Sequence, residues 1–390
     1  MLAVMQVTQL NAGKKTAGVD GKSRLSNAER LQLVNGLKAA NQWQHNRLRQ
    51  VPIPKSDGTT RTLKIPTIAD RAWQCLCKLA IEPAHEALFH KRSYGFRPGR
   101  GAHDAQKILF NNLNSHARGY KKRILELDIE KCFDRIEHKA ILDRIIAPQA
   151  IRQGLFRCLK SGVEAEFPQQ GTPQGGVISP LLANIALDGI ESIHHSIRYA
   201  DDMVFILKPK DDAEVVLGKV EEFLAERGLK VKVSKTKLVS SLDGFDFLGW
   251  RFYVQAGNGK FRSEPSTANF TRFRRKVKAI VNNSCMGAKV TAGKLAPIVR
   301  GWRKYHQYTK LEGSRFSLWR LNHSVFRRFR KEKTATRYVT AALVRKAFPN
   351  VGYRENGFVS VKGDASPFDS NVEYWSKRNR SKYGATQAKS

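Results

Sequence analysis

The chain carries 390 residues, with 69 Lys and Arg against 34 Asp and Glu and a formal net charge of +35. Such an excess of cations points to a polyanionic partner, because every cation set on a phosphate releases condensed counterions. No apolar run approaches the ~20 residues of a spanning helix, and "MLAVMQVTQLNAGKK" lacks the order of a signal peptide. Nucleic acid is therefore the expected partner, and a membrane is not.

In chain order, Ala28 to Ala40 has helical spacing, with Leu31, Val34, Leu37 and Lys38 in register. "RLRQVPIPKSDGTTRTLKIP" reads as a hairpin with a polar turn. Arg71 to Leu88 reads as a helix with Trp73, Leu76, Leu79 and Ala80 on one side. "RILELDI", Arg123 to Ile129, alternates as a strand, and helical segments follow to about Lys160. "FPQQGTPQGGVISP" is a Gly/Pro-rich loop and "LLANIALDGIESI" is helical. "SIRYADDMVFIL" reads as two short, half-buried strands around a turn. Ala213 to Arg227 is a helix closed by Gly228, and "KVKVSKTKLVS" and "FDFLGWRFYV" read as strands. Up to about Pro265 this mixture suits an α+β domain. Asn269 to Lys346 is mostly helical and dense in Arg and Lys, and the remainder reads as a small irregular module.

The cysteines, Cys75, Cys77, Cys132, Cys158 and Cys285, are odd in number and unpaired in spacing. They argue for a reducing compartment and against a disulfide framework. Without a C-x-x-C pair, structural zinc is not expected. His194 and His195 are neighbours on a strand and point to opposite faces, as ordinary surface and core histidines would.

Three acidic residues stand out. Asp128 ends a strand, and Asp201 and Asp202 occupy a hairpin turn between apolar runs. If those strands are neighbours, the carboxylates converge, and clustered carboxylates are strained unless cations neutralise them. Mg²⁺ suits them, because it takes hard oxygen ligands and keeps positions open for phosphates. Two ions ~4 Å apart would clamp the attacking and leaving oxygens of a phosphoryl transfer. The same dipeptide at Asp211-Asp212 follows "KPK" and opens a helix, where acids cap amides.

Seven stretches occur in one order: "VPIPKSDGTTRTLKIPTIADRAWQ", "SYGFRPGRGAHDA", "LDIEKCFDRI", "GTPQGGVISPLLANIALD", "RYADDMVF", "KTKLV" and "FDFLGW". Together they resemble the sequence blocks of bacterial group II intron reverse transcriptases, the intron-encoded maturases. The resemblance implies a right-hand polymerase, with fingers and palm over 1–265 and a helical thumb or maturase domain over 266–346. A DNA-binding-like segment would follow over 347–390, with no HNH endonuclease. It implies RNA-templated DNA synthesis with two Mg²⁺ ions held by Asp128, Asp201, Asp202 and the carbonyl of Ile129. Phe133 matches the aromatic gate against a 2′-OH, although core packing would also explain it. Lys55, Arg61, Gln174 and Lys235 match residues around the incoming dNTP, and Gly175 and Gly176 would allow close backbone approach. Arg97, Arg272, Arg274, Arg275, Lys276, Arg300, Arg303 and Lys304 are expected to meet nucleic acid. Trp302, Tyr305 and Tyr308 serve equally as core or as stacking platforms.

The implied partners are group II intron RNA, an RNA template with a DNA primer, target DNA and dNTPs. The implied place is the bacterial cytoplasm, at the nucleoid when the protein acts on DNA. Relatives usually carry a longer helical extension before "LAVMQVTQLNAGKK", which puts tight intron docking in question. Two rival functions remain open at this point: a splicing-only maturase, and a domesticated reverse transcriptase in defence or repair.

Overall fold

The structure is a computed structural model, and it describes residues 1–54, 58, 60–162, 168–283, 285–309, 311, 314–332 and 336–351. Lys55 and the C-terminal segment from residue 352 onward lie outside the described residues.

Helix α1 (Leu2–Met5) continues into a π-helical turn, and α2 (Asn27–Gly36) begins at a capping box. There the Ser26 hydroxyl accepts from the Glu29 amide, and the Ser26 amide donates to the Glu29 carboxylate at 2.8 Å. The expected helix to Ala40 stops short, because a 3₁₀ turn (Leu37–Gln42) takes over and Ala39 leaves helical angles. Strands β1 (Arg49–Pro54) and β2 (Thr60–Ile65) form the expected antiparallel hairpin, with Arg49 opposite Ile65.

Helix α3 (Ile68–Leu88) is capped by Thr67, whose hydroxyl accepts from the Asp70 amide. Its core face runs through Trp73, Cys77 and Ile81, while Leu76, Leu79 and Ala80 are exposed, contrary to the face expected from sequence. Trp73 sets the rotation. Its indole lies against Gly154, where a Cβ would come within 2.5 Å of the ring.

Then follow α4 (Ala102–Leu113), β3 (Arg123–Asp128), α5 (Cys132–Arg135), α6 (His138–Leu142), α7 (Gln149–Lys160) and α8 (Ser179–Leu187). Strands β4 (Ser196–Tyr199) and β5 (Asp202–Leu207) form the expected hairpin, and α9 (Ala213–Ala225) leads to β6 (Lys237–Ser240). These strands make one sheet in the order β4-β5-β3-β6. The apolar run Leu181 to Leu187 of α8 is buried throughout, in one core with Leu127, Phe205 and Leu207. Each such leucine contributes roughly 1.5–3 kcal/mol when fully removed from water.

Strands β7 (Phe245–Phe247), β8 (Trp250–Val254) and β9 (Phe261–Pro265) form an antiparallel meander. Helices α10 (Thr267–Val281), α11 (Ala288–Tyr305), α12 (Trp319–Arg330) and α13 (Arg337–Ala347) follow. Their apolar stripes, such as Phe273/Val277/Val281 and Leu321/Val325/Phe329, share a second core. The described residues form two compact units, those of 1–105 with 125–238, and those of 106–124 with 239–351. The β7–β9 meander belongs to the second, where Trp250 stacks on Tyr305 at 4.2 Å between ring centres.

Candidate active site

Asp128 is the last residue of β3 and Asp202 the first of β5, with Asp201 in the turn before it. Because β5 lies beside β3, all three carboxylates gather at one end of the sheet. The turn is tight. Tyr199 pairs with Asp202, and Ala200 takes a left-handed conformation at φ 58°.

The electrostatics follow from this crowding. Loss of hydration, then the Asp128 charge, raises Asp201 above the usual carboxylate range, although its own backbone amide, Arg61 and Lys235 pull the other way. Asp202 is pushed up to about 6, by loss of hydration first and then by Asp201 and Asp128. Asp202 is exposed by surface area yet crowded by protein atoms, as a residue in a concave site is. The site therefore resists carrying its full negative charge, which is the condition a bound cation relieves.

One cation is built in. The Lys235 ammonium lies 2.6 Å from Asp128 Oδ2, and that hydrogen bond raises the Lys235 pKa. Lys235 gets there because "KVKVSKTKLVS" is not continuous strand. A 3₁₀ turn (Val233–Lys235) interrupts it, after Lys232 has donated its amide to the Asp128 carbonyl. Ile129 lies opposite Val231. The flanking bonds, Glu130 N–H to Lys230 O and Lys232 N–H to Asp128 O, leave the Ile129 carbonyl out of that pairing.

Arg61, on β2, reaches the same place. Its Nε donates to Gln174 Oε1, and Gln174 Nε2 donates to Asp134 Oδ2 at 2.9 Å. Asp134 was not expected from the sequence; it lies next to Phe133 on α5 and fixes which way the Gln174 amide faces. Phe133 is half-buried against the core, and its carbonyl accepts from the Thr172 amide at 2.7 Å. Gly175, at φ 135°, approaches protein closely: a Cβ there would stand 2.9 Å from the Lys64 carbonyl.

The donor set of hard carboxylate oxygens fits Mg²⁺ in chemistry. Among the described residues, however, no three acidic, His or Cys side chains are already drawn together around a common point. The Lys235 ammonium neutralises Asp128 instead. His194 and His195 lie in a bend just before β4 rather than on a strand, with His194 3.1 Å from Asp211 and His195 beside Arg92.

The basic residues divide. Arg97, expected at nucleic acid, is corrected. Its guanidinium is buried, 2.6 Å from Glu86 Oε1, and donates to the carbonyls of His90 and Ser93. A guanidinium so committed has no fork left for a phosphate. Arg272, Arg274, Arg275 and Lys276 on α10, and Arg300 and Lys304 on α11, are exposed. Arg303 is half-buried and donates to the Pro349 carbonyl at 3.0 Å. Trp302 stacks on Phe273, and Tyr305 donates to the Leu248 carbonyl, so both are packing residues. No helix among the described residues is long and apolar enough to cross a membrane.

The chain matches known protein families. The reverse transcriptase (RNA-dependent DNA polymerase) family matches residues 53–252, and the N-terminal domain of reverse transcriptase matches 1–37. The group II intron maturase-specific domain matches 270–341. Maturase-like protein 1 of Euglena gracilis is 37% identical over 350 residues, 89% of this chain and 76% of that protein. Group II intron-encoded protein LtrA of Lactococcus lactis is 31% identical over 213 residues, 52% of this chain and 33% of that protein. A telomerase structure from Candida albicans is similar over 79% of this chain and 62% of its own, with TM-score 0.43 and 10% identity.

The fold is thus that of a reverse transcriptase, mixed in helix and sheet, a family that generally uses divalent metal ions. The chain belongs to the group II intron reverse transcriptase/maturase family.

Proposed function

We propose that the protein copies intron RNA into DNA from a DNA primer and, separately, assists splicing of that RNA. The observation that supports this most directly is the strained carboxylate cluster, with Asp201 and Asp202 both raised beside Asp128. Asp128, Asp201, Asp202 and the Ile129 carbonyl would hold two Mg²⁺ ions. Bound there, the ions would neutralise the triphosphate and activate the primer 3′-hydroxyl.

The chain's own residues do the rest. Arg61 leaves Gln174 to bind the triphosphate, and Gln174, oriented by Asp134, lies beside the nucleotide. Lys235 is released from Asp128 and becomes a phosphate ligand, with Lys55 assigned the same kind of task. The Phe133 ring excludes a 2′-OH. In this reading 1–265 are fingers and palm, 266–346 a thumb or maturase domain, and 347–390 a segment for target DNA. The exposed cations of α10 and α11 grip template, primer and intron RNA through salt-dependent phosphate contacts. In this reading the protein is bacterial and works in the cytoplasm and at the nucleoid.

Primer extension on an RNA template tests the polymerase. Wild type should extend and Asp201→Ala should not; a wild type that does not extend removes the claim. A splicing-only maturase is the second reading, favoured by the 37% identity to a protein named maturase-like. It predicts faster intron splicing at low Mg²⁺ without any extension.

A further inference from the structure

The turn that carries Asp201 is held from behind by polar groups shut away from water. Arg198, on β4, and Glu191 are both 0% exposed, with Arg198 Nε 2.6 Å from Glu191 Oε1. Arg198 Nη1 donates to Asn184 Oδ1 at 2.9 Å and to the Ala200 carbonyl at 3.2 Å. Asn184 Nδ2 in turn donates to the Gly95 carbonyl at 2.9 Å. The backbone leading to Gly95 runs beside β4: Tyr94 N–H donates to Arg198 O at 2.9 Å, and Arg198 N–H to Arg92 O at 3.0 Å. Gly95 then presses on the turn itself. A Cβ there would stand 2.4 Å from the Ala200 nitrogen and 2.8 Å from the Tyr199 carbonyl carbon.

A buried ion pair is a weak source of stability, because desolvation offsets its attraction. Its directional bonds can still select one geometry. Here that geometry is a left-handed alanine, a conformation the residue does not favour alone. Asn184 is likewise a polar residue in the otherwise apolar run Leu181 to Leu187.

We propose that Gly95, Asn184 and Arg198 act as positioning residues that clamp the Tyr199–Asp202 turn and so set where the Asp201 and Asp202 carboxylates point. This rests on the reading of those carboxylates as the metal-holding centre. The three residues touch no substrate and supply no chemistry. They convert a loop free to relax under charge repulsion into one fixed against backbone.

The test uses the full chain and two variants. Gly95→Ala adds one methyl against the turn. Arg198→Lys keeps the charge facing Glu191 but cannot fork onto two acceptors. In both, single-turnover nucleotide incorporation should slow roughly 10–100-fold, with half-saturation by dNTP and primer–template held within about threefold. Mn²⁺ binding to the free protein, read by electron paramagnetic resonance, should weaken in parallel, with cooperative melting retained. Wild-type rate and Mn²⁺ affinity in a folded variant would overturn the clamp. So would loss of cooperative melting in both, which would make the network a requirement of the fold. If wild type extends no primer, the polymerase reading fails, while the Mn²⁺ comparison still decides the clamp.

Discussion

Two Asp-Asp pairs lie ten residues apart and behave oppositely. Asp211 and Asp212 turn their charge onto nearby amides. Asp211 accepts from Lys208 N–H at 2.6 Å, and Asp212 accepts from Glu214 N–H at 2.9 Å as the N-cap of α9. Asp201 and Asp202 face Asp128 across the sheet and are raised by burial and mutual repulsion. The dipeptide is the same. What differs is whether its carboxylates meet donors or one another. A capped carboxylate stabilises its own helix, whereas a crowded one holds strain that a cation can release.

The contrast can be broken most sharply by neutralisation. Asp202→Asn should cut primer extension by at least about 10²–10³-fold, the scale of losing one transition-state charge partner. Its melting temperature should hold or rise, because repulsion has been removed. Asp211→Asn should leave extension unchanged. Equal losses at both positions would erase the distinction drawn here.

A carboxylate buried elsewhere sharpens the comparison. Asp70 is 1% exposed. Burial alone would raise its pKa, yet the His45 imidazole 3.4 Å away and hydrogen bonds from Trp43, Thr67 and Asn46 outweigh it and the pKa is lowered. A lowered carboxylate supplies stability in full above its unfolded value of about 4, and that stability drains as pH falls through the folded value. Asp70→Asn should therefore cost about 1–3 kcal/mol at neutral pH. Denaturant melts from pH 7 to pH 3 should show the gap to wild type closing; a gap that widens on acidification contradicts the assignment.

The smallest effect belongs to the cap. Asp212→Ala should cost about 1 kcal/mol of stability. Nucleotide incorporation should stay at the wild-type rate. A loss of incorporation there would mean that α9 bears on the active site through contacts other than its cap.

Much of this site was legible before any coordinates. "RYADD" between apolar runs and "RILELD" with a terminal acid announce carboxylates on strand ends, and alternation places their flanks inside. The hairpin itself and the capping role of Asp212 follow from the same local rules, whereas the hairpin's register, which makes Asp202 the first residue of β5 rather than part of the turn, does not. Other readings failed because local pattern carries no rotation or partner. Leu76, Leu79 and Ala80 make a plausible helix face, but Trp73 turns the opposite face inward. Arg97 in "SYGFRPGR" looks like a phosphate ligand until Glu86 is found against it.

The sequence by itself determined the charge that seeks nucleic acid, most of the order of helices and strands, and the acids most in need of a cation. All of these are set by composition or by periods of a few residues. Only the tertiary structure decided that Lys235 meets Asp128, that Asp134 orients Gln174, and that Gly95, Asn184 and Arg198 meet behind the turn. Those partners lie up to about a hundred residues apart in the chain. Their meeting depends on the order β4-β5-β3-β6 and on which face each helix buries, and hydrophobic burial chooses both with no local signal in the residues that benefit.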